Sequence, residues 1–402
     1  MEYDDSERGR ELAERARAFV DESVIPAERD LAGGETVTDD VIDDLREEAR
    51  DRGVYCPQIG EEYGGMGEDF RDVLPLFEEA GRSLLGAPGM RVDAPDEGNM
   101  HTLEMFGTES QKERWLRPLV AGEVRSAFAM TEPRQGGGAD PKLVKTTAER
   151  EGDEWVLDGH KWWITNGSEA DFFITLARTD PDEHPYSGCS LIVVPADTPG
   201  LEVSRDIPHL GDDVLAQVHS EVHYDGVRVP AENLLGTENE GFTHAQQRLG
   251  PARLTHCMRY SGMASRALGV AKAYTSDRQA FGGPVAEKGG VRRDVANAAT
   301  RLHAVRTMVR DAADKISRGE EARIEVSMCK RFAANVTQEA IDTAVQLCGA
   351  SGVGKDLPIA DFYENVRQFR IVDGPDEVHE RVIARAAYEE VDESELDRLP
   401  TF

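Results

Sequence analysis

The spacing of the apolar residues changes twice along the chain, and these two changes constrain the fold more than any other sequence feature. From about residue 5 to 122 the pattern is helical, and from about 123 to 238 apolar and polar positions alternate. From Gly241 onward the pattern is helical again. A period near 3.6 indicates amphipathic helices and a period of 2 indicates strands. The sequence therefore predicts a multidomain α+β fold.

We expect three domains: an N-terminal α-helical domain at 1–122, a central β-domain at 123–238 and a C-terminal helical domain at 239–402. A chain of 402 residues is longer than one hydrophobic core ordinarily supports. Gly and Pro separate the short central strands, which predicts an antiparallel sheet or barrel.

The C-terminal region contains long helical patterns with short connections. After the helix that starts near Gly241, helical stretches are expected at about 287–316, 322–348 and 376–392. Long helices joined by short loops predict an antiparallel four-helix bundle.

The charge of the chain excludes some classes of partner. There are 46 Lys and Arg against 77 Asp and Glu, which gives a formal net charge of −31. Such a field repels nucleic-acid backbones and anionic lipid, so neither nucleic acid nor a membrane surface is an expected partner. We interpret the acidic excess as a solvated surface adapted to high salt, as in a halophile.

Cysteine usage and the first residues predict a cytoplasmic protein. The five cysteines are odd in number and lack the CxxC spacing of metal sites, so we expect reduced thiols and no metal site. The start, MEYDDSERGR, has no apolar segment typical of a signal peptide.

The stretch 127–166 combines a short AFAMTEP segment, a glycine-rich RQGGGAD loop and the run EWVLDGHKWWITNG. Asp158-Gly159 and Asn166-Gly167 are dipeptides that favour tight turns. Alternation between them predicts that Trp162 and Trp163 point to opposite faces of a strand, one into a core and one toward a ligand. Two tryptophans that simply pack remain the plainer interpretation.

AFAMTEP followed by KWWITNG resembles the flavin site of the acyl-CoA dehydrogenase family, and the likeness extends over most of the chain. It implies FAD as the cofactor. By this resemblance Trp163 lies against the isoalloxazine, Thr165 bonds flavin N5, and Phe128, Met130 and Thr131 contact the ring system. It also implies an acyl-CoA substrate and an electron-transferring flavoprotein as acceptor, as in fatty-acid β-oxidation.

Other flavin contacts implied by the resemblance come partly from a neighbouring subunit, so a homodimer or homotetramer is expected. Arg278 and Phe281 in DRQAFG match a pyrophosphate-binding motif of the family. Gln346 and Gly349 in AVQLCGASG match the adenosine end. The further cofactor residues implied are Gly138, in the glycine-rich loop, and Glu377.

An acid near the carboxyl end is the candidate catalytic base. In IVDGPDEVH, a turn entering a helix with Asp376 as N-cap explains Gly374, Pro375 and Asp376. It does not explain Asp373, which follows the apolar pair Ile371 and Val372. A carboxylate in an apolar site has a raised pKa, which strengthens it as a base.

The resemblance implies the same role, because Asp373 stands where most family members have a catalytic glutamate, and DGPDEVH with LGPARLTHCMR resembles a branch whose base is an aspartate. Other members carry the base on the first bundle helix, but no acid stands between Gly250 and Arg253. Gly250, Arg253 and Gly374 are the implied substrate contacts. Proton removal by Asp373 and hydride transfer to flavin N5 would then give a trans-2-enoyl-CoA.

Three positions depart from the family pattern: RQGGGAD lacks the usual serine, Gly289 replaces a glutamine, and Ala350 replaces a glycine. The backbone N–H groups of Gly136 to Gly138 could still form an anion nest. Two other functions stay open. One is a flavin oxidase of the same fold, such as a nitroalkane oxidase, and the other is a flavin-binding protein without catalysis.

Overall fold

The computed structural model describes residues 4–30, 37–211, 218–389 and 391–399. Helices occupy the first and last parts of the chain and strands the middle, so the predicted architecture is confirmed. The three domain boundaries stay predictions. Within the described ranges, no helix has both the length and the apolar character needed to cross a membrane.

In the described residues before the first strand, the N-terminal part contains eight α-helices. They are α1 (Glu7–Phe19), α2 (Ile25–Asp30), α3 (Asp39–Asp51), α4 (Phe70–Ala80), α5 (Gly86–Met90), α6 (Asp96–Phe106), α7 (Glu109–Gln111) and α8 (Arg117–Ala121). Ser6 begins α1 by accepting a hydrogen bond from Gly9 N, and Thr108 with Gln111 forms a full capping box at α7. These caps satisfy N–H groups that have no partner inside a helix.

Among the residues that the structure describes, eight strands form the central sheet. They are β1 (Ser126–Ala129), β2 (Thr147–Glu151), β3 (Glu154–Thr165), β4 (Phe172–Arg178), β5 (Cys189–Pro195), β6 (Leu201–Asp206), β7 (His219–Pro230) and β8 (Leu234–Leu235). The order is β6-β7-β3-β2-β4-β5-β8, and β1 pairs with β4. The β1–β4 pairing is parallel, so the sheet is mixed rather than purely antiparallel as expected.

One of the two predicted turns in this sheet is wrong. Asp158 and Gly159 lie inside the continuous strand β3, where the register with β7 shifts between Leu157 and Gly159. The glycine therefore accommodates a bulge, because a Cβ there would lie 2.4 Å from Thr146 Oγ1. The turn at Asn166 is present, and Asn166 has the left-handed φ of 61° that such turns require.

The alternation predicted for the tryptophan pair is also broken. The register with β7 shifts again between Lys161 and Ile164, and Trp163 adopts a φ of 55°. Trp162 is half-buried, Trp163 is 43% exposed, and the buried neighbours are Lys161 and Ile164. Neither tryptophan therefore fills a core, because the bulge changes which side chains face inward.

The buried Lys161 forms an ion pair with Glu132 of the TEP segment. Its Nζ lies 2.9 Å from Glu132 Oε1 and donates to the carbonyl of Met130 at 3.0 Å. Glu132 also accepts hydrogen bonds from the backbone N–H groups of Gly137, Lys145 and Thr146. Burial raises the pKa of Glu132, but Lys161 and Thr146 outweigh it, so the carboxylate stays charged. The pair joins the TEP segment to β3.

The C-terminal part is a helical bundle that begins with a helix of 37 residues. Its elements are α9 (Gly241–Asp277), β9 (Gln279–Ala280), β10 (Gly283–Pro284), α10 (Gly289–Ser317), α11 (Arg323–Cys348), α12 (Ala350–Val353), α13 (Ile359–Val366) and α14 (Asp376–Glu389). Helix α11 packs against α9, α10 and α14. The helix predicted to reach residue 392 ends at Glu389, and residue 390 lies outside the described residues.

Two glycines allow α4 and α9 to cross closely. A Cβ on Gly81 would lie 1.9 Å from the carbonyl oxygen of Arg259, and one on Gly262 would lie 1.9 Å from that of Glu78. Both contacts are with backbone, so a side chain there would push the helices apart. This crossing fixes the N-terminal helices against the bundle.

We expect Gly262→Ala to destabilise the protein by at least about 1–3 kcal/mol, because the added methyl overlaps the backbone of α4. Gly269→Ala, on the same helix with open space around its Cα, is the matched control. It should be neutral or stabilise by up to about 1 kcal/mol through helix propensity. Thermal unfolding midpoints check this, and equal midpoints for the two variants would contradict the close crossing.

We expect Lys161→Met to cost about 3–5 kcal/mol, because it leaves the buried Glu132 carboxylate without its cation. The double variant Lys161→Met/Glu132→Gln removes both charges and should lose less stability than the single variant. Chemical denaturation of the three proteins measures the difference. A single variant as stable as the double variant would show that the pair contributes no charge compensation.

Candidate active site

Asp373 lies in a strained turn that enters α14. Asp373 has a φ of 55° and Gly374 a φ of 100°, so two successive residues adopt the left-handed region. Arg253 of α9 donates from Nε to the carbonyl of Asp373 at 2.8 Å. Lys330 of α11 donates from Nζ to the carbonyls of Phe369 at 2.5 Å and Gly374 at 3.0 Å. Two cations from two helices therefore hold this turn.

The Asp373 carboxylate contacts His256 of α9. Asp373 Oδ2 and His256 Nδ1 lie 2.9 Å apart. Burial raises the pKa of Asp373, but His256, Arg248 and Arg253 outweigh it and hold the pKa below its ordinary value. Burial and the nearby Arg259 lower the pKa of His256, while the Asp373 carboxylate opposes this shift.

The pKa of Asp373 is therefore shifted in the direction opposite to the one expected from Ile371 and Val372. Ile371 is exposed and Val372 is half-buried, so these two residues do not make an apolar site around the carboxylate. Its surroundings come instead from α9. The chain neighbours of an acid do not predict its environment when a distant helix packs over it.

Arg248 links the Asp373 region to the β-domain. Its guanidinium carbon lies 4.3 Å from the centre of the Phe128 ring, and its Nε donates to Asn99 at 3.3 Å. Nearby, Glu97 of α6 is buried, and burial raises the pKa of this carboxyl. Glu97 Oε2 has no hydrogen-bond partner among the residues described.

Sequence reasoning missed four residues of this cluster: Arg248, His256, Glu97 and Lys330. Arg248 and His256 lie on the same helix as Arg253. The available signal was the presence of polar side chains in a helix that consists largely of small and apolar residues. That signal does not reveal which turn packs against the helix.

The turn residue Asp376 does not act as the predicted N-cap. It is the first residue of α14, and its Oδ2 accepts from Arg370 Nε at 2.7 Å and Asn335 Nδ2 at 3.0 Å. The buried carboxylate thus anchors the turn to α11. Its Oδ1 has no partner in the described part of the chain.

Trp163 and Thr165 form an exposed platform at the end of β3. The Trp163 ring lies 5.8 Å from the ring of His219, and Thr165 Oγ1 is 3.0 Å from His219 Nδ1. Burial lowers the pKa of His219 to about 4, so this ring is neutral at pH 7. A half-exposed indole beside a hydroxyl and a neutral imidazole fits a planar aromatic ligand with polar ring atoms.

The TEP segment reaches the same platform. The carbonyl of Thr131 accepts from Trp162 N at 3.0 Å, and that of Met130 accepts from Lys161. These bonds hold Phe128, Met130 and Thr131 beside β3. The structure thus brings Phe128, Met130, Thr131, Trp163 and Thr165 to one region.

The anion nest predicted in the glycine-rich loop is wrong for two of its three members. Gly136 N donates to the carbonyl of Pro133 and Gly137 N donates to Glu132 Oε2, so both point to protein groups. Gly138 is exposed, with open space around its Cα.

The remaining predicted residues lie elsewhere in the chain. Gly250 is on α9 near Arg253, but Arg278 follows the carboxyl end of the same helix. At about 1.5 Å per residue, Gly250 and Arg278 are roughly 40 Å apart. Phe281 is 98% exposed, and Gln346, Gly349 and Glu377 are also exposed. Within a single chain, these residues therefore do not come together around one end of a ligand.

A cavity of about 220 Å³ lies between the N-terminal helices, the loop after β3 and α9. Its wall includes His256, Asn166 and Gln368, so it reaches both the Asp373 cluster and the end of β3. Apolar residues such as Leu84 and Met263 contribute further walls. The cavity therefore lies beside His256, which contacts the candidate base.

Comparison with protein families gives three consecutive matches. Residues 6–123 match the acyl-CoA dehydrogenase N-terminal domain, residues 127–227 the middle domain, and residues 239–388 the C-terminal domain. The Mycobacterium tuberculosis protein named "Probable acyl-CoA dehydrogenase FadE2" is 40% identical over 398 residues, covering 96% of this chain and 97% of that protein.

Longer relatives and solved structures agree with this match. Mouse acyl-CoA dehydrogenase family member 11 is 34% identical over 94% of this chain, which spans 50% of that protein. Butyryl-CoA dehydrogenase from Megasphaera elsdenii superposes with a TM-score of 0.85 at 27% identity, covering 96% of this chain and 100% of that one.

A chain solved in a structure of the electron transferring flavoprotein of Acidaminococcus fermentans superposes with a TM-score of 0.87 at 29% identity, covering 97% of this chain and all of that chain. The exposed Trp163 platform beside Thr165 fits the planar ring system of a flavin. This chain belongs to the acyl-CoA dehydrogenase family of oxidoreductases, and its cofactor is FAD.

Proposed function

We propose that this protein oxidises an acyl-CoA thioester to a trans-2-enoyl-CoA, with Asp373 as the base. The observation that carries the proposal is the position of Asp373, which is held in a clamped turn and contacts His256. His256 lines a cavity whose wall also includes Asn166, the residue that follows β3. α,β-Dehydrogenation requires a proton acceptor and a flavin platform that face the same substrate.

Asp373 would remove the α-proton in its ionised form. Its pKa is below the ordinary value, so the carboxylate is charged at neutral pH but is a weak base. Proton removal by a weak base needs strong stabilisation of the developing enolate oxygen. The backbone N–H groups of the Asp373–Gly374 turn are the candidate donors, since Arg253 and Lys330 hold this turn in place.

FAD, when bound, supplies the hydride acceptor for the β-hydrogen. Trp163 would cover one side of the ring system, and Thr165 would donate its hydroxyl hydrogen toward N5 once it turns from His219. Phe128, Met130 and Thr131 would contact the ring edge, while Arg253, Gly250 and Gly374 would line the substrate side. Aspartate is one methylene shorter than glutamate, so the thioester must lie close to the turn.

The rest of the flavin site is proposed to come from a second copy of the chain. Arg278, Phe281, Gln346, Gly349 and Glu377 are exposed and lie away from the Trp163 platform in one chain. A homodimer or homotetramer would bring them, with Gly138, to the pyrophosphate and adenosine of FAD. We further propose an electron-transferring flavoprotein as the acceptor, in line with the likeness to the Acidaminococcus fermentans structure, and a cytoplasmic location.

We expect Asp373→Asn to abolish bleaching of the flavin by acyl-CoA while FAD stays bound, because the amide does not accept the α-proton. The wild-type protein is mixed without oxygen with saturated acyl-CoAs of several chain lengths, in high salt. Glu97→Gln is the matched control, since Glu97 is the other buried carboxyl of the cluster. It should slow reduction much less.

Loss of bleaching in Glu97→Gln with retention in Asp373→Asn would instead assign the base to Glu97. Wild-type flavin that no thioester reduces would contradict the proposed function. Nitroalkanes and rapid reoxidation by oxygen would then test the oxidase alternative.

We expect His256→Asn to slow flavin reduction by up to about 100-fold, because the ring positions the Asp373 carboxylate and a misplaced base reacts more slowly. The wild-type rate should also fall at acidic pH, where protonated His256 pairs with Asp373 and weakens it as a base. Because burial lowers the pKa of His256, this fall should lie below the ordinary titration range of histidine. The variant should lack this acid limb. Stopped-flow reduction at saturating substrate from pH 5 to 8 measures both effects, and an unchanged limb would exclude His256 as its origin.

A further inference from the structure

Three side chains that can bind a metal ion meet on one face of the central sheet. His160 of β3 is in register with His223 of β7, and Glu221 lies two positions before His223 on the same strand. Residues that are register partners or two apart share a face. The rings of His160 and His223 are stacked with their centres 4.0 Å apart.

The donor atoms of these residues are close enough to share one ion. One ligand atom from each of His160, Glu221 and His223 lies within 4.8 Å of the other two. His160 Nε2 is 2.7 Å from Glu221 Oε1, and Arg205 Nε is 2.7 Å from Oε2 of the same carboxylate. The side chains of His160 and Glu221 remain 34% and 16% exposed, so an ion has access from solvent.

We propose that His160, Glu221 and His223 form a binding site for one divalent first-row transition ion, Zn²⁺ being the best match. Two imidazoles and a carboxylate are a donor set that suits Zn²⁺, with a fourth position open to water. Hard ions such as Mg²⁺ prefer all-oxygen sites and are not expected to compete.

The local geometry needs small adjustments to hold such an ion. Zn–N and Zn–O distances of about 2.0–2.2 Å in a tetrahedral site require donor atoms roughly 3.3–3.5 Å apart. His160 and Glu221 are already closer than that, and an ion would replace the proton between them. Arg205 can stay on Glu221 Oε2 as an outer-shell partner. Glu202 of β6, in register with His223, offers a further carboxylate beside the site.

The site follows from strand pairing and is independent of the proposed dehydrogenation. His160 is about 60 residues from Glu221 and His223, so the sequence shows no spacing typical of a metal site. The expectation of no metal site rested on cysteine spacing and did not include the pairing of β3 with β7. An ion here would cross-link β3 to β7. Binding to the folded chain alone would raise its thermal unfolding midpoint.

The test is a titration of tag-free protein with Co²⁺, in high salt, followed by visible absorption and by equilibrium dialysis with Zn²⁺. We expect one ion per chain, visible bands of a low-symmetry Co²⁺ site, displacement by Zn²⁺ and no displacement by excess Mg²⁺. His160→Ala and His223→Ala should abolish this binding, and Glu221→Gln should weaken it at least tenfold.

His303→Ala is the matched control, because His303 is an exposed histidine on α10. It should bind like the wild type, and the metal-free unfolding midpoint shows that each variant is folded. Binding that survives both histidine substitutions, or that Mg²⁺ displaces, would overturn the site and indicate ions held by the acidic surface. The absence of any stoichiometric Co²⁺ or Zn²⁺ binding would overturn it as well.

Discussion

The left-handed turn at Asp373 and Gly374 is the constraint on which the candidate active site depends. An aspartate at a φ of 55° is held in a conformation that only a stabilising environment maintains. Arg253 and Lys330 provide that environment by donating to the two carbonyls of the turn. Because these cations come from α9 and α11, the position of the carboxylate depends on the packing of the bundle as a whole.

The same packing sets the charge around the carboxylate. Arg248, Arg253 and His256 are all on α9, and their approach keeps the pKa of Asp373 low despite burial. Burial lowers the pKa of Lys330 to about 8. The Lys330 ammonium group is therefore both buried and bonded to the carbonyls of Phe369 and Gly374. The site therefore favours an ionised, well-positioned base of modest strength. Such a site relies on stabilising the product of proton removal rather than on a highly basic carboxylate.

The β-domain contributes a second rigid support. The buried pair Glu132–Lys161 joins the TEP segment to β3, and the bulge beside it gives Trp163 its positive φ and its exposure. The ion pair fixes the register of β3 and so decides which of its side chains face outward. A shift of β3 by one residue would bury the Trp163 indole and expose Lys161. Arg248, stacked on Phe128, then connects this support to the Asp373 turn.

The sequence alone determined the order of helical and strand regions, the approximate extent of the bundle helices, the capping box at Thr108 and, through its motifs, the flavin cofactor. The base motif at Asp373 stays a prediction. These follow from local periodicity and from short motifs, which are properties of neighbouring residues. Tertiary structure decided the rest. Four features depend on partners that are distant in the chain. They are the continuation of β3 through Asp158-Gly159, the burial of Lys161, the binding of glycine-loop N–H groups by Glu132, and the cations around Asp373. No local pattern records such pairings, because burial and charge are set by the elements that pack over a residue and not by its neighbours in sequence.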